Sequence, residues 1–218
     1  MRFIKADNLN KSKSSFLNTN IIDLKKQAPY SSKRIAPHVI KKINGVKVGI
    51  MAITTFKNKD ARKESYLDGL FFEDPIFSIL KARKKLLRKG AKVFVLLMQT
   101  YKADDLENTI KRLPPNSIHA IVSSAPAMIN KRILNIPVIQ NSGSAKYISR
   151  VELFYDTKSK KVLSKRSIIH TPTKLCSQFF AATLDCHIDD DQYKSKKIEL
   201  IKDKSYKKES ARFLGMSI

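Results

Sequence analysis

Residues Glu73–Gln99, EDPIFSILKARKKLLRKGAKVFVLLMQ, decide the architecture. Asp74 is an N-cap residue with Pro75 behind it at the first helical position, where a missing amide hydrogen costs nothing. Ile76, Ile79, Leu80, Leu86 and Leu87 recur at mostly helical spacing, with Lys and Arg filling most positions between them, and Gly90 supplies the stop. The pattern therefore predicts a helix. The run from Lys92 to Met98 is then apolar without alternation, which is the mark of a strand covered on both faces. A second run of that kind, Val46–Ile53, precedes the helix, so the stretch reads as a βαβ unit.

Outward from this unit, Asn44-Gly45 is a tight hairpin signal between Val39–Ile43 and Val46–Ile50. Downstream, Ala103–Leu113 opens with Asp104 and Asp105 and closes with Lys111 and Arg112. It carries Leu106, Ile110 and Leu113 on one face and stops at Pro114-Pro115, which predicts a second helix. His119–Ser124 and Ile136–Asn141 read as further core strands, and Arg150–Tyr155 as an alternating strand with Lys161–His170 as its hairpin partner. Upstream, Phe16–Ile22 reads as a short strand and Ala28–Pro37 as loop. From Tyr193 onward the chain is Lys-rich, with a weak helical period through Ile198, Leu200, Ile201 and Tyr206. The expected class is α/β in layers, with one domain over residues 1–170 and a basic tail over 171–218.

Lys and Arg number 43 against 19 Asp and Glu in 218 residues, a net charge of +24, which points to an anionic partner such as nucleic acid or phosphate. The positive charge is spread along the chain, lysine predominates and tryptophan is absent, so neither bidentate arginine readout nor a stacking platform stands out. The expectation is weak, non-specific polyanion binding. No apolar run approaches the roughly 18 residues of a membrane span, and Met1–Ser15 lacks the apolar segment of a signal peptide.

Several words in this order resemble one family. They are Asn20 in a short strand, the hairpin Asn44–Ile50, Gly69-Leu-Phe-Phe-Glu-Asp-Pro75, the Lys-rich helix ending at Gly90-Ala91, and QNSGSAKYISRVEL over Gln140–Leu153. Together they resemble the later half of the catalytic domain in the 5'-nucleotidase branch of the calcineurin-like metallophosphoesterases. The resemblance implies half of a sheet sandwich flanked by helices, and, in the family, two divalent metal ions that clamp a phosphoryl group and deliver hydroxide. It also implies a periplasmic or secreted location.

The departures are informative. The family's Asp-x-His, Gly-Asp and Gly-Asn-His-Glu ligand words are absent. Its histidine after the second core strand falls on Gln99, and the two histidines of its Gly-Gly-His-x-His word fall on Ala125 and Ala127. Alanine offers no lone pair and glutamine only a weak neutral oxygen, so no cofactor is expected for this chain. What remains of the cleft would be lined by Ser123, Ser124, Asn141 and Lys146.

The reading is a degenerate or truncated nucleotidase-like protein, non-catalytic as this chain. Two alternatives stand beside it: a basic polyanion-binding protein, and the later half of an active phosphohydrolase completed by an N-terminal half. The expected partners are that half-domain or a second copy.

Other candidates carry less. His38, His119, His170 and His187 lack ligand spacing and read as ordinary surface or strand-end residues. No glycine-rich phosphate loop and no Gly-x-Ser-x-Gly elbow is present. Cys176 and Cys186, with nine residues between them, would make a staple worth about 2–3 kcal/mol if exported, as the resemblance implies, and two free thiols in a reducing compartment. Cys186-His187 with Asp189–Asp191 is a poor zinc signature.

Overall fold

A computed structural model describes residues 16–55, 69–100, 103–124, 127–141, 147–174, 178–180 and 200–202. The chain opens with β1 (Phe16–Leu17), β2 (Ile21–Asp23), β3 (Ala28–Pro29) and β4 (Ile35–Ala36). The expected strand over 16–22 is thus broken at Asn18–Asn20, and the expected loop holds two short pairings, β2 with β3 and β1 with β4. Next come β5 (His38–Ile43) and β6 (Val46–Thr54), an antiparallel hairpin whose turn residues Asn44 and Gly45 have φ of 46° and 81°. Both angles are positive, as a two-residue primed turn requires, and Asn and Gly carry that conformation at least cost.

β7 (Leu70–Phe72) pairs with β2 and leads into α1 (Pro75–Arg88). The Asp74 carboxylate accepts the N–H groups of Ile76 at 2.9 Å and Phe77 at 3.2 Å, and it also pairs with Arg112 at 2.9 Å. Burial pushes this carboxyl up, but the hydrogen bond from Arg112 and those from the helix amides outweigh it and hold Asp74 below the ordinary carboxylate range. At the other end Gly90, φ 87°, donates to the Leu87 carbonyl and Ala91 to that of Leu86, which is the paired closure of a Schellman cap.

β8 (Val93–Gln99) runs parallel to β6, so the βαβ unit forms as the sequence predicts. α2 (Ala103–Arg112) leads to β9 (Ala120–Ser124), parallel to β8. β10 (Ile129–Ile133) and β11 (Ile136–Gln140) form a hairpin, with β11 parallel to β9. The sheet order is β10-β11-β9-β8-β6-β5.

Beyond it, β12 (Tyr147–Ile148), β13 (Val151–Glu152), β14 (Tyr155–Asp156), β15 (Lys161–Val162), a 3-10 turn at Ser164–Arg166, β16 (Ile168–Ile169) and β17 (Thr173–Lys174) follow. The predicted long hairpin over 150–170 is present but interrupted: β13 pairs with β16, and β14 with β15, on either side of the 3-10 turn. β12 pairs with β17, so the described chain stays attached just past residue 170. β18 (Gln178–Phe180) pairs with β19 (Leu200–Lys202). This corrects the helical reading of Leu200 and Ile201, because strand pairing across a distant segment overrides a weak local period.

Both helices cover one face of the six-stranded sheet. Ile79, Ala82 and Leu86 of α1, and Leu106 and Ile110 of α2, share one core with Met51, Ile53, Phe94, Leu96, Met98, Ile121 and Val138. The opposite face is covered unevenly. Ile50, Val95, Leu97 and Ile139 are half-buried there and Val122 is 39% exposed, whereas Met51, Leu96, Ile121 and Val138 on the helix face are 0% exposed.

Candidate functional site

β6, β8, β9 and β11 are parallel, so their carboxyl ends form one edge, and ligands of open α/β sheets gather beyond that edge. The register sets Thr54, Gln99 and Ser124 side by side on the face away from the helices. One residue earlier, Met98, Ser123 and Gln140 form the matching row on the helix face.

Gln99 and Ser124 are exposed, while Ser123 and Gln140 are buried. The Gln140 amide nitrogen donates to the Ala127 carbonyl at 2.6 Å. Its Oε1 and the Ser123 Oγ have no hydrogen-bond partner among the described residues. Asn141 is tied down: its amide donates to the Tyr147 carbonyl at 2.9 Å and its Oδ1 accepts from Ser149 Oγ at 2.5 Å. At the neighbouring strand end the Thr55 hydroxyl donates to Asp105 at 2.9 Å.

Gln99 ends β8 at the carboxyl edge, with Ser124 and Asn141 at the ends of the neighbouring strands and Ala127 against Gln140, while Ser123 turns inward toward the helices. Ala125, Lys146, Cys176, Cys186 and His187 lie outside the described residues. His38 sits at the start of β5; burial, followed by the charges of Lys89 and Lys85, lowers its pKa.

Two of the histidines have particular partners that spacing did not reveal. His170 Nε2 lies 2.8 Å from a Glu152 oxygen that Arg150 also approaches at 3.0 Å, a cross-strand cluster on β13 and the end of β16. His119 is buried just ahead of β9 and its Nδ1 accepts the Phe94 N–H at 2.9 Å. Burial, with Arg83 as the smaller cause, lowers its pKa to about 4. The buried orphan atoms of Ser123 and Gln140 also left no trace in the sequence, since burial of a polar side chain has no local pattern.

Among the described residues the strand-end row itself offers neutral amides and hydroxyls, and the carboxylate beside it, Asp105, takes the Thr55 hydroxyl. Among the described residues no three His, Cys, Asp or Glu side chains gather into a cation-binding group. The described residues of the strand-end row do not fit a two-metal centre, which needs several anionic or imidazole donors converging within a few Å.

No profile of a known protein family matches the chain, and no curated protein does. Solved structures do. A 5'-nucleotidase precursor from Thermus thermophilus superposes with a TM-score of 0.57 at 22% identity, over 78% of this chain and 35% of that one. The calcineurin-like phosphoesterase YfkN of Bacillus subtilis gives 0.57 at 18%, over 75% and 56%. A putative 5'-nucleotidase of Staphylococcus aureus gives 0.56 at 15%, over 88% and 36%. The chain thus spans roughly a third to a little over half of the structures it resembles. In fold, the chain is similar to part of these calcineurin-like phosphoesterase structures.

Proposed function

We propose that this chain is a degenerate, partial phosphoesterase-fold module of the 5'-nucleotidase type that does not hydrolyse phosphate esters by itself. The observation that carries the reading is the strand-end row Thr54, Gln99 and Ser124, with Ala127 beyond it. A dinuclear hydrolase needs donors there that hold a cation and lower the pKa of its water, and amides and hydroxyls do neither. The test is turnover of nucleoside monophosphates and an aryl phosphate with added Mn²⁺ or Zn²⁺. The expected result is no activity above background; chelator-sensitive turnover that scales with protein across preparations would overturn the reading.

A second reading is favoured by the uneven cover of the sheet: the chain is one half of an active phosphohydrolase, and a further layer closes over Ile50, Val95, Leu97, Val122 and Ile139. Parallel strands are normally buried on both faces, so an apolar face left half open calls for a covering element. In this reading the metal donors come from the other half.

The surplus of lysine contributes weak polyanion binding that falls steeply with salt, because counterion release drives it.

A further inference from the structure

At the end of the sheet opposite the strand-end row lies a cavity of about 490 Å³, between the residues that follow α2, the β10–β11 turn and the 3-10 turn at Ser164–Arg166. Its volume falls within the roughly 300–1,000 Å³ of small-molecule sites. The walls are chiefly apolar, from Leu113, Pro114, Ile118, Ile136 and Val162, and among the described residues Lys165 is the one charged member of the lining. Other cations nearby have partners of their own, Arg83 donating to the Asn116 carbonyl of the wall at 3.4 Å. Lys111 pairs with Glu107 at 3.0 Å, Arg112 with Asp74 at 2.9 Å, and Arg132 donates to the Ser164 carbonyl at 2.9 Å and to Ser167.

Three residues with left-handed backbones converge on this cavity: Asn116 at φ 60°, Leu134 at 46° and Asn135 at 67°. Asn tolerates that conformation through its short polar side chain, but leucine does not, and a two-residue primed turn is ordinarily Asn-Gly or Gly-Gly. Leu134 is nonetheless held there, 64% exposed as a residue. A leucine in a turn that disfavours it, and in water that disfavours it, contributes to neither the turn nor the core. Its position makes it an apolar lip of the cavity. Residues kept against local preference cluster where a ligand is held.

We propose that this cavity binds a small amphiphile with an apolar body and a single anionic head group, a medium-chain carboxylate being the simplest member of the class. The tail lies against Leu113, Ile118, Ile136 and Leu134, and the head group pairs with Lys165, with the amides of Asn116 and Asn135 as further donors. The site stands apart from the strand-end row and does not depend on the reading given for it.

The test is calorimetric titration of the full chain with decanoate, decanol and decyltrimethylammonium. Decanoate should bind one to one and saturably, with decanol weaker and the cationic analogue weaker still. Lys165→Glu should weaken decanoate by about tenfold while leaving decanol unchanged. Lys41→Glu, on the exposed part of β5, should have no effect, which separates a site from general attraction to a basic surface. Leu134→Asn should raise the melting temperature by relieving the turn, yet weaken all three ligands. Non-saturable uptake of decanoate, equal losses in the two lysine variants, or an affinity indifferent to Lys165→Glu would each overturn the proposal. If Lys165→Glu disturbs the fold, Lys165→Gln gives the same reading, since it removes the charge and keeps a polar side chain.

Discussion

The imidazole of His119 accepts the backbone N–H of Phe94 at 2.9 Å while its ring stacks on the phenyl of the same residue, with centroids 5.7 Å apart. The ring must be neutral at Nδ1 to accept that hydrogen. Protonation in the unfolded chain begins near the ordinary value of 6.5, whereas in the folded protein it waits until about pH 4. The unfolded state therefore binds more protons between those limits, and stability falls as pH drops through that window. The contribution lost by pH 4 is at most about 3 kcal/mol. Denaturant melts at intervals from pH 7 to 4 should show the decline, and His119→Gln should flatten it while lowering stability near neutrality. An unchanged slope in that variant would place the acid sensitivity elsewhere, His38 being the other histidine with the same sign.

Gly49 on β6 faces Leu86 so closely that an added Cβ would lie 2.9 Å from Leu86 Cδ1 and 3.3 Å from the Phe94 ring. Leu86 is fully buried and has little room to yield. Gly49→Ala should cost about 1–3 kcal/mol by overpacking, and Leu86→Ala about 2–5 kcal/mol by leaving a cavity. The double variant should cost clearly less than the sum, because each change fills or frees the space of the other. Chemical denaturation of the four proteins measures it, and strict additivity would contradict the packing described.

The half-open sheet face makes a third expectation. Concentrated protein should self-associate in sedimentation velocity and bind an apolar dye, and Val122→Lys, at an exposed apolar position on a central strand of that face, should reduce both. Truncation before Thr171, which removes the partner strand of Tyr147–Ile148, should deepen the association. A dye-negative monomer at every concentration would show that the chain covers this face itself.

The βαβ unit, the Asn44-Gly45 hairpin and the second helix were legible because each rests on local grammar: caps, stops and periodicity. The β10–β11 hairpin was not, since Leu134-Asn135 carries no turn signal, and the turn is imposed by the pairing of Ile129–Ile133 with Ile136–Gln140. The break between β13 and β14 was equally hidden. The side chain of Arg132, donating to Ser164 and Ser167, ties the 3-10 turn to a strand far away in sequence. At the strand-end row Gln99 and Ser124 could be placed from the order of strands alone. The inward turn of Ser123 depends on register, and a single residue of slip would have reversed it.

β6 is longer than β5, and its last residues would present a bare edge if side chains did not stand in for a strand. The Ala52 carbonyl accepts the Thr19 N–H at 2.8 Å and the Ala52 N–H meets the Thr19 hydroxyl at 3.0 Å. The two amide atoms of Asn20 take the N–H and carbonyl of Thr54 at 3.0 and 2.9 Å. All four outward backbone groups are thereby spent on partners that cannot propagate. Asn20 ends the ladder where a true strand would have extended it, so this margin offers no template to a neighbouring chain, and the sheet is protected from fibrous growth along it by two polar side chains and the Thr19 amide.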